Sequence, residues 1–169
     1  IRSMCSSGVP GATPSFLAAE AKTLGALLVH YSTDYVFDGN KATPYVETDP
    51  CNPLSVYGQS KLAGEEAIRA SGCRHLILRT AWVYASRGRN FLLTMLRLAR
   101  ERPELRVVDD QTGSPTWARD IAQATASLLA GRTEAEGIYH LTATGTTTWC
   151  GFAREIVREA GLQTPVHAI

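Results

Sequence analysis

Several features common in other protein classes are missing from this chain of 169 residues. No apolar run approaches the roughly 20 residues of a membrane-spanning helix, and the opening lacks the charged and apolar regions of a secretory signal. Neither sign of charge prevails. Lys and Arg number 17 against 16 Asp and Glu, scattered along the chain, which excludes a basic stripe for nucleic acid and an acidic tail for a cationic partner. The four cysteines, Cys5, Cys51, Cys73 and Cys150, are far apart, form no Cys-x-x-Cys and have no histidines at zinc-ligand spacing, so no metal site is expected. A reduced, cytosolic compartment follows from that usage. A glycine-rich phosphate-binding turn is also lacking. Gly8-Val9-Pro10-Gly11 is only a Gly-x-x-Gly, follows no predicted strand, and carries a proline better suited to a tight turn. The chain opens on Ile1 rather than methionine, and we expect a fragment of a longer protein.

What is present has the composition of an ordinary globular domain, 44% hydrophobic and 20% charged, long enough for one sizeable core. After Thr13-Pro14, residues Phe16 to Leu24 read as a helix stopped by Gly25. The uninterrupted apolar run from Ala26 to Tyr31 fits a strand buried on both faces, ending at Ser32-Thr33-Asp34. A long polar excursion from Phe37 to Pro53 leads into a helix over Ser55 to Ser71, stopped by Gly72. His75 to Arg79 is a second buried strand, with Trp82-Val83-Tyr84 just past its end. Asn90 caps a helix from Phe91 to Arg102 that Pro103 ends, and Leu105 to Val108 is a short strand. The turn-rich stretch Asp109 to Pro115 precedes a helix from Thr116 or Trp117 to Ala130; Ile138 to Leu141 is a strand and a last amphipathic helix carries Phe152, Ile156 and Val157. Such alternation predicts an α/β fold, a largely parallel Rossmann-like sheet flanked by helices, with ligands outside the carboxyl ends of its strands.

Tyr57 and Lys61 are four apart on the predicted helix and project from one face about a turn apart. The phenol of a free tyrosine has a pKa near 10, and an ammonium held beside it stabilises the phenolate and lowers that value. Tyr57 is then a candidate general acid, handing its proton to the alkoxide formed as hydride reaches a ketone. Thr33, at a strand end, is placed to donate a hydrogen bond to the same oxygen. Six tyrosines and three lysines in this length give about a one-in-ten chance of some Tyr-x-x-x-Lys, so the spacing alone is unspecific.

The surrounding residues are specific. Tyr31-Ser32-Thr33-Asp34-Tyr35-Val36-Phe37-Asp38-Gly39 and Pro53-Leu54-Ser55-Val56-Tyr57-Gly58-Gln59-Ser60-Lys61-Leu62-Ala63-Gly64-Glu65 resemble the extended short-chain dehydrogenase/reductase superfamily, and within it the dTDP-4-dehydrorhamnose reductase family. Arg79-Thr80-Ala81-Trp82-Val83-Tyr84 and Asp110-Gln111-Thr112-Gly113-Ser114-Pro115-Thr116 are similar to two further blocks of that family, in its order and spacing. The resemblance runs from about Phe16 to near the C-terminus. It implies that Tyr57 is the proton donor, that Lys61 poises it and holds the nicotinamide ribose, and that Thr33 completes the catalytic set. It further implies that Thr33 and Asp34 contact the deoxysugar and that Trp82 lines its pocket. The implied reaction is reduction of the C4 ketone of dTDP-4-dehydro-L-rhamnose by NADPH or NADH. Residues 1–169 would then form a partial NAD(P)-binding reductase domain, with substrate-binding elements mainly after about Trp82 in a small C-terminal part, and the longer protein would form a homodimer.

Two other functions share parts of this pattern. A nucleotide-sugar epimerase or 4,6-dehydratase would also carry the Tyr-Lys pair, but dehydratases commonly follow the threonine with an Asp-Glu pair, and here Asp34-Tyr35 lacks the glutamate. A regulatory subunit resembling that of methionine adenosyltransferase would need no catalytic set, whereas Thr33, Tyr57 and Lys61 are all retained. Asp110 and Gln111 have no assigned role at this level, and His30, His75, His140 and His167 read as structural.

Overall fold

The computed structural model describes residues 12–131 and 135–169, and the Gly8 to Gly11 turn lies outside the described residues. The elements in chain order are α1 (Ala12–Leu24), β1 (Leu28–Thr33), α2 (Val56–Ser71), β2 (His75–Thr80), β3 (Val83–Tyr84), α3 (Phe91–Glu101) and β4 (Leu105–Val107). They continue as β5 (Thr112–Gly113), β6 (Thr116–Trp117), α4 (Ala118–Ala130), β7 (Gly137–His140), β8 (Thr147–Thr148), α5 (Trp149–Glu159) and β9 (Val166–Ala168). They fall into two compact units, residues 12–80 with 135–141 and residues 81–131 with 142–169.

The first unit is a parallel sheet in the order β1-β2-β7. Its central strand, β2, has Leu76, Ile77 and Leu78 at no more than 1% exposure, as its unbroken apolar run requires of a strand covered on both faces. Helices α1 and α2 cover one face through a core of Ala18, Ala21, Ile68, Cys73 and Ile77. Small residues let the two helices approach: a Cβ on Gly64 would lie 3.1 Å from Pro14 of α1. Helix α1 begins four residues earlier than the sequence predicts, because Pro14 falls in its first turn, where a missing N–H leaves no helical bond unmade. Strand β1 begins two residues later than expected. The amide of Ala26 is bonded back to Ala21 O at 2.9 Å, closing α1, and the ladder to β2 starts only with Leu28 N to Arg74 O at 2.9 Å. Ser32 and Thr33 are its last two residues, at the strand end expected from the sequence.

The second unit is built on α3 and α5, whose inner faces enclose Met95, Ala99, Cys150, Ala153, Ile156 and Val157 together with Leu105 and Val107 of β4. Strand β4 pairs in parallel with β9, a strand the sequence does not announce, and β3 pairs with β6. The predicted helix start at Thr116 or Trp117 is also revised: these two residues form β6, and α4 begins at Ala118. The parallel sheet proper is thus the three strands of the first unit, while the second unit holds two-stranded pairs, one of them antiparallel.

Candidate active site

Strand β1 ends in a polar pair that is buried, Ser32 at 4% and Thr33 at 6% exposure. The Thr33 hydroxyl accepts the amide of Tyr35 at 3.3 Å and so caps a single 3-10 turn, Asp34–Val36, that folds the chain back over the strand end. The same hydroxyl donates to Asp34 Oδ1 at 3.0 Å. Burial pushes the Asp34 carboxyl above its ordinary value, a shift that the Thr33 hydroxyl and nearby backbone amides oppose.

Helix α2 starts against this turn. Ser55 caps it by accepting the amide of Gly58 at 3.1 Å. Gly58 is required for the contact, since a Cβ there would stand 2.2 Å from the Tyr35 carbonyl oxygen. That approach sets Tyr57, in the first turn and 55% exposed, next to Tyr35, with ring centroids 5.9 Å apart edge to face. One turn on, Lys61 Nζ donates to Tyr31 O at 2.5 Å, tying the helix to β1. Burial holds the Lys61 ammonium below its ordinary pKa, with the carboxylate of Glu65 acting the other way. His30, on β1, is shifted down by burial and by the Lys61 charge, and its Nε2 is buried without a hydrogen-bond partner.

A deeper ion pair fixes the same helix. Glu65, four residues past Lys61, accepts from Arg79 Nε at 3.0 Å and Nη2 at 2.7 Å. Arg79 also reaches Cys51 Sγ at 3.2 Å and lies 5.1 Å over the Phe37 ring, so one guanidinium joins β2, α2 and the long loop after β1. Glu47 of that loop accepts the amide of His140 on β7 at 2.9 Å.

Of the residues singled out from the sequence, Thr33, Asp34, Tyr57 and Lys61 are brought together in the first unit. Trp82 belongs to the second, where its backbone takes φ 45°, the one positive value outside glycine among the described residues. Its indole stacks on Trp149, centroids 3.5 Å apart and planes 8° from parallel. Of the other histidines, His75 Nδ1 lies 2.9 Å from Cys73 O, and His140 sits edge to face on Phe37 with its Nε2 buried and without a hydrogen-bond partner. Sequence reasoning missed the Glu65–Arg79 pair, although a charged residue inside the apolar strand His75–Thr80 signals a buried partner. It also missed Trp149. Among the described residues no group of three or more His, Cys, Asp or Glu could hold a metal, and no helix is long and apolar enough to cross a membrane.

Residues 5–169 match the family described as RmlD substrate binding domain. The chain belongs to this family. Among its relatives, the dTDP-4-dehydrorhamnose reductase of Burkholderia thailandensis is 53% identical over 156 residues, covering 88% of this chain and 52% of that protein. The dTDP-4-dehydrorhamnose reductase of Shigella flexneri is 52% identical over 147 residues, covering 85% of this chain and 49% of that protein. The crystal structure of dTDP-4-dehydrorhamnose reductase from Bacillus anthracis in complex with NADP superposes with a TM-score of 0.90 at 37% identity, covering 95% of this chain and 57% of that one. The chain thus spans about half the length of the RmlD-family proteins it matches. These matches agree with the α/β, Rossmann-like class expected from the sequence.

Proposed function

We propose that this chain, within a protein of its relatives' length, reduces the C4 ketone of dTDP-4-dehydro-L-rhamnose to dTDP-L-rhamnose, using NADPH or NADH. The observation that carries the proposal is the placement of Tyr57 and Lys61 on the first turns of α2, locked to the Thr33–Asp34 end of β1 by the Gly58 contact and the Lys61 bond to Tyr31 O. Family membership supports the substrate class, and the NADP complex of the Bacillus anthracis relative supports the cofactor.

The residues present fit the ribose end of a nicotinamide cofactor. An ammonium has three donors; Lys61 uses one on Tyr31 O, which leaves donors for ribose hydroxyls beside the exposed phenol of Tyr57. Bound there, a reduced nicotinamide supplies hydride. Tyr57 gives its proton to the oxygen that becomes an alkoxide at C4, and Lys61 stabilises the phenolate left behind. The Thr33 hydroxyl, which donates to Asp34 in this structure, would turn its hydrogen to the same oxygen and orient it. Asp34, in turn, would accept from a hydroxyl of the sugar, and Trp82 would form part of the pocket wall. Three described cysteines, Cys51, Cys73 and Cys150, are free thiols, which supports a reduced, cytosolic setting.

The test is oxidation of the reduced cofactor by the full-length protein in the presence of dTDP-4-dehydrorhamnose. Turnover is expected, with loss of about 10²- to 10⁴-fold in Tyr57→Phe while cofactor binding is kept. Wild-type-like turnover in that variant removes Tyr57 from the mechanism. No turnover in the wild type would favour the regulatory-subunit alternative.

A further inference from the structure

The second unit contains an arrangement that the proposed reaction does not by itself explain. Trp82 lies in a left-handed backbone conformation that a bulky L-residue adopts only when its surroundings enforce it. Its carbonyl is fixed by the amide of Thr116 at 3.2 Å. One face of its indole is covered by Trp149, at 3.5 Å between centroids. The other face meets Gly113. A Cβ on that glycine would lie 2.4 Å from Trp82 Cε2 and 2.7 Å from both Cζ2 and Nε1. A point nearest a ring-fusion carbon and equally farther from its two outer neighbours stands above the ring plane, not at its rim. Trp149 already fills one side, so the glycine backbone lies on the opposite side.

The two jaws share a frame. The Trp149 indole N–H donates to Gln111 Oε1 at 3.2 Å, and Phe91 packs against the same ring at 4.5 Å. Strands β5 and β8 pair Thr112 with Thr148 and Gly113 with Thr147, so each jaw is attached to one strand of the same antiparallel ladder. Thr148 caps α5 by accepting the amide of Gly151 at 3.0 Å and donates its own hydroxyl to Asp109. The block from Asp109 to Gly113 thus sets the spacing between Gly113 and Trp149.

We propose that Gln111, Gly113 and Trp149 are positioning residues that clamp the Trp82 indole, so that Trp82 meets the deoxysugar of its substrate with a ring edge rather than a face. The proposal rests on the reductase reading for the identity of the sugar, but not for the clamp. An edge held from both sides cannot swing to follow a differently shaped sugar, which makes the clamp a determinant of substrate affinity.

In the full-length protein, Gly113→Ala and Trp149→Ala are expected to raise KM for dTDP-4-dehydrorhamnose by about tenfold or more, with kcat changed less than about threefold. Trp149→Phe, which keeps an aromatic jaw, is expected to stay within about threefold of the wild-type KM, and Gln111→Leu, which leaves the backbone alone, to fall between. Near-ultraviolet circular dichroism supplies a readout independent of substrate: Gly113→Ala keeps every tryptophan but pushes on the clamped indole, and is expected to change the tryptophan bands of the wild type. The clamp is overturned if those bands are unchanged in Gly113→Ala, or if Gly113→Ala and Trp149→Ala keep KM within about twofold of wild type. Should the wild type turn over no dTDP-4-dehydrorhamnose, the reductase reading falls, and the clamp is then decided by the tryptophan bands of Gly113→Ala.

Discussion

Removing the carboxylate of Glu65 isolates a charge in the interior of the first unit. Glu65 and Arg79 are 1% and 4% exposed, and the pair is bidentate, with bonds of 3.0 and 2.7 Å. In Glu65→Ala the guanidinium keeps only Cys51 Sγ at 3.2 Å, a long 3.5 Å bond to Glu47 O, and the face of Phe37. The one nearby countercharge left is the carboxylate of Glu47, whose interaction with Arg79 is the weakest of those that hold its pKa below the ordinary value. Stranding one member of a buried pair costs about 3–5 kcal/mol, a large fraction of a domain's typical 5–15 kcal/mol. Replacing both members with apolar residues of similar volume, Glu65→Leu with Arg79→Met, removes the stranded charge and is expected to recover most of that loss. Equilibrium urea unfolding followed by circular dichroism compares the midpoints of the three proteins. If Glu65→Ala lies within about 1 kcal/mol of wild type, or if the double variant is no more stable than the single one, the pair is not the tie between α2 and the sheet.

Gly58→Ala is expected to lower stability by about 1–3 kcal/mol, because its Cβ would meet the Tyr35 carbonyl at 2.2 Å and a backbone atom cannot rotate aside; an unchanged urea midpoint would contradict the close approach. Asp38 has its carboxyl lowered from 3.8 to about 2 by the Tyr45 hydroxyl, the Asn40 amide and the Asn52 side chain. Because the folded value is the lower one, its contribution to stability is present above 3.8 and lost as pH falls towards 2. Carbon NMR of this carboxyl should therefore show a midpoint of about 2, and a midpoint at or above 3.8 refutes the three-donor cradle. Finally, these 169 residues alone should bind NADPH weakly or not at all, since Tyr57 and Lys61 offer contacts only at the ribose end; low-micromolar binding in a fluorescence titration would show otherwise.

The parts of the fold that were legible are those governed by local signals. Ser55 and Gly72 bracket α2 as cap and left-handed stop, Asn90 opens α3, and the apolar run of β2 announces a doubly covered strand. Tyr57 and Lys61 could be placed because helical spacing alone puts them on one face. What stayed hidden depends on partners far along the chain. Nothing near Val166 indicates that it will pair with Leu105, and Thr116-Trp117 reads as a helix start until β3 is there to pair with it. Gln111 had no readable role because its partner, Trp149, is supplied by α5, which begins only after four further strands and α4. The left-handed backbone of Trp82 is unreadable for the same reason, since no local residue preference would choose it.

The position of the candidate site follows from connectivity more than from any single residue. Three parallel strands end on the same side of their sheet, and a helix that returns from β1 to begin β2 must start at that side. Tyr57 is therefore delivered to the carboxyl end of β1 by topology, and Lys61 one turn further back along the strand. The first ladder bond, Leu28 N to Arg74 O, assigns the backbone groups of Leu28, His30 and Ser32 to β2. Those of Val29, Tyr31 and Thr33 then point to the opposite edge, along which β1 has no partner strand among the described residues. Lys61 takes its bond from this edge, at Tyr31 O. A further strand added in parallel along β1 could pair at Val29 but would compete with the ammonium at Tyr31. The lysine proposed to serve the chemistry thus also stands where the sheet's hydrogen bonding gives way to the ligand crevice expected beyond the strand ends.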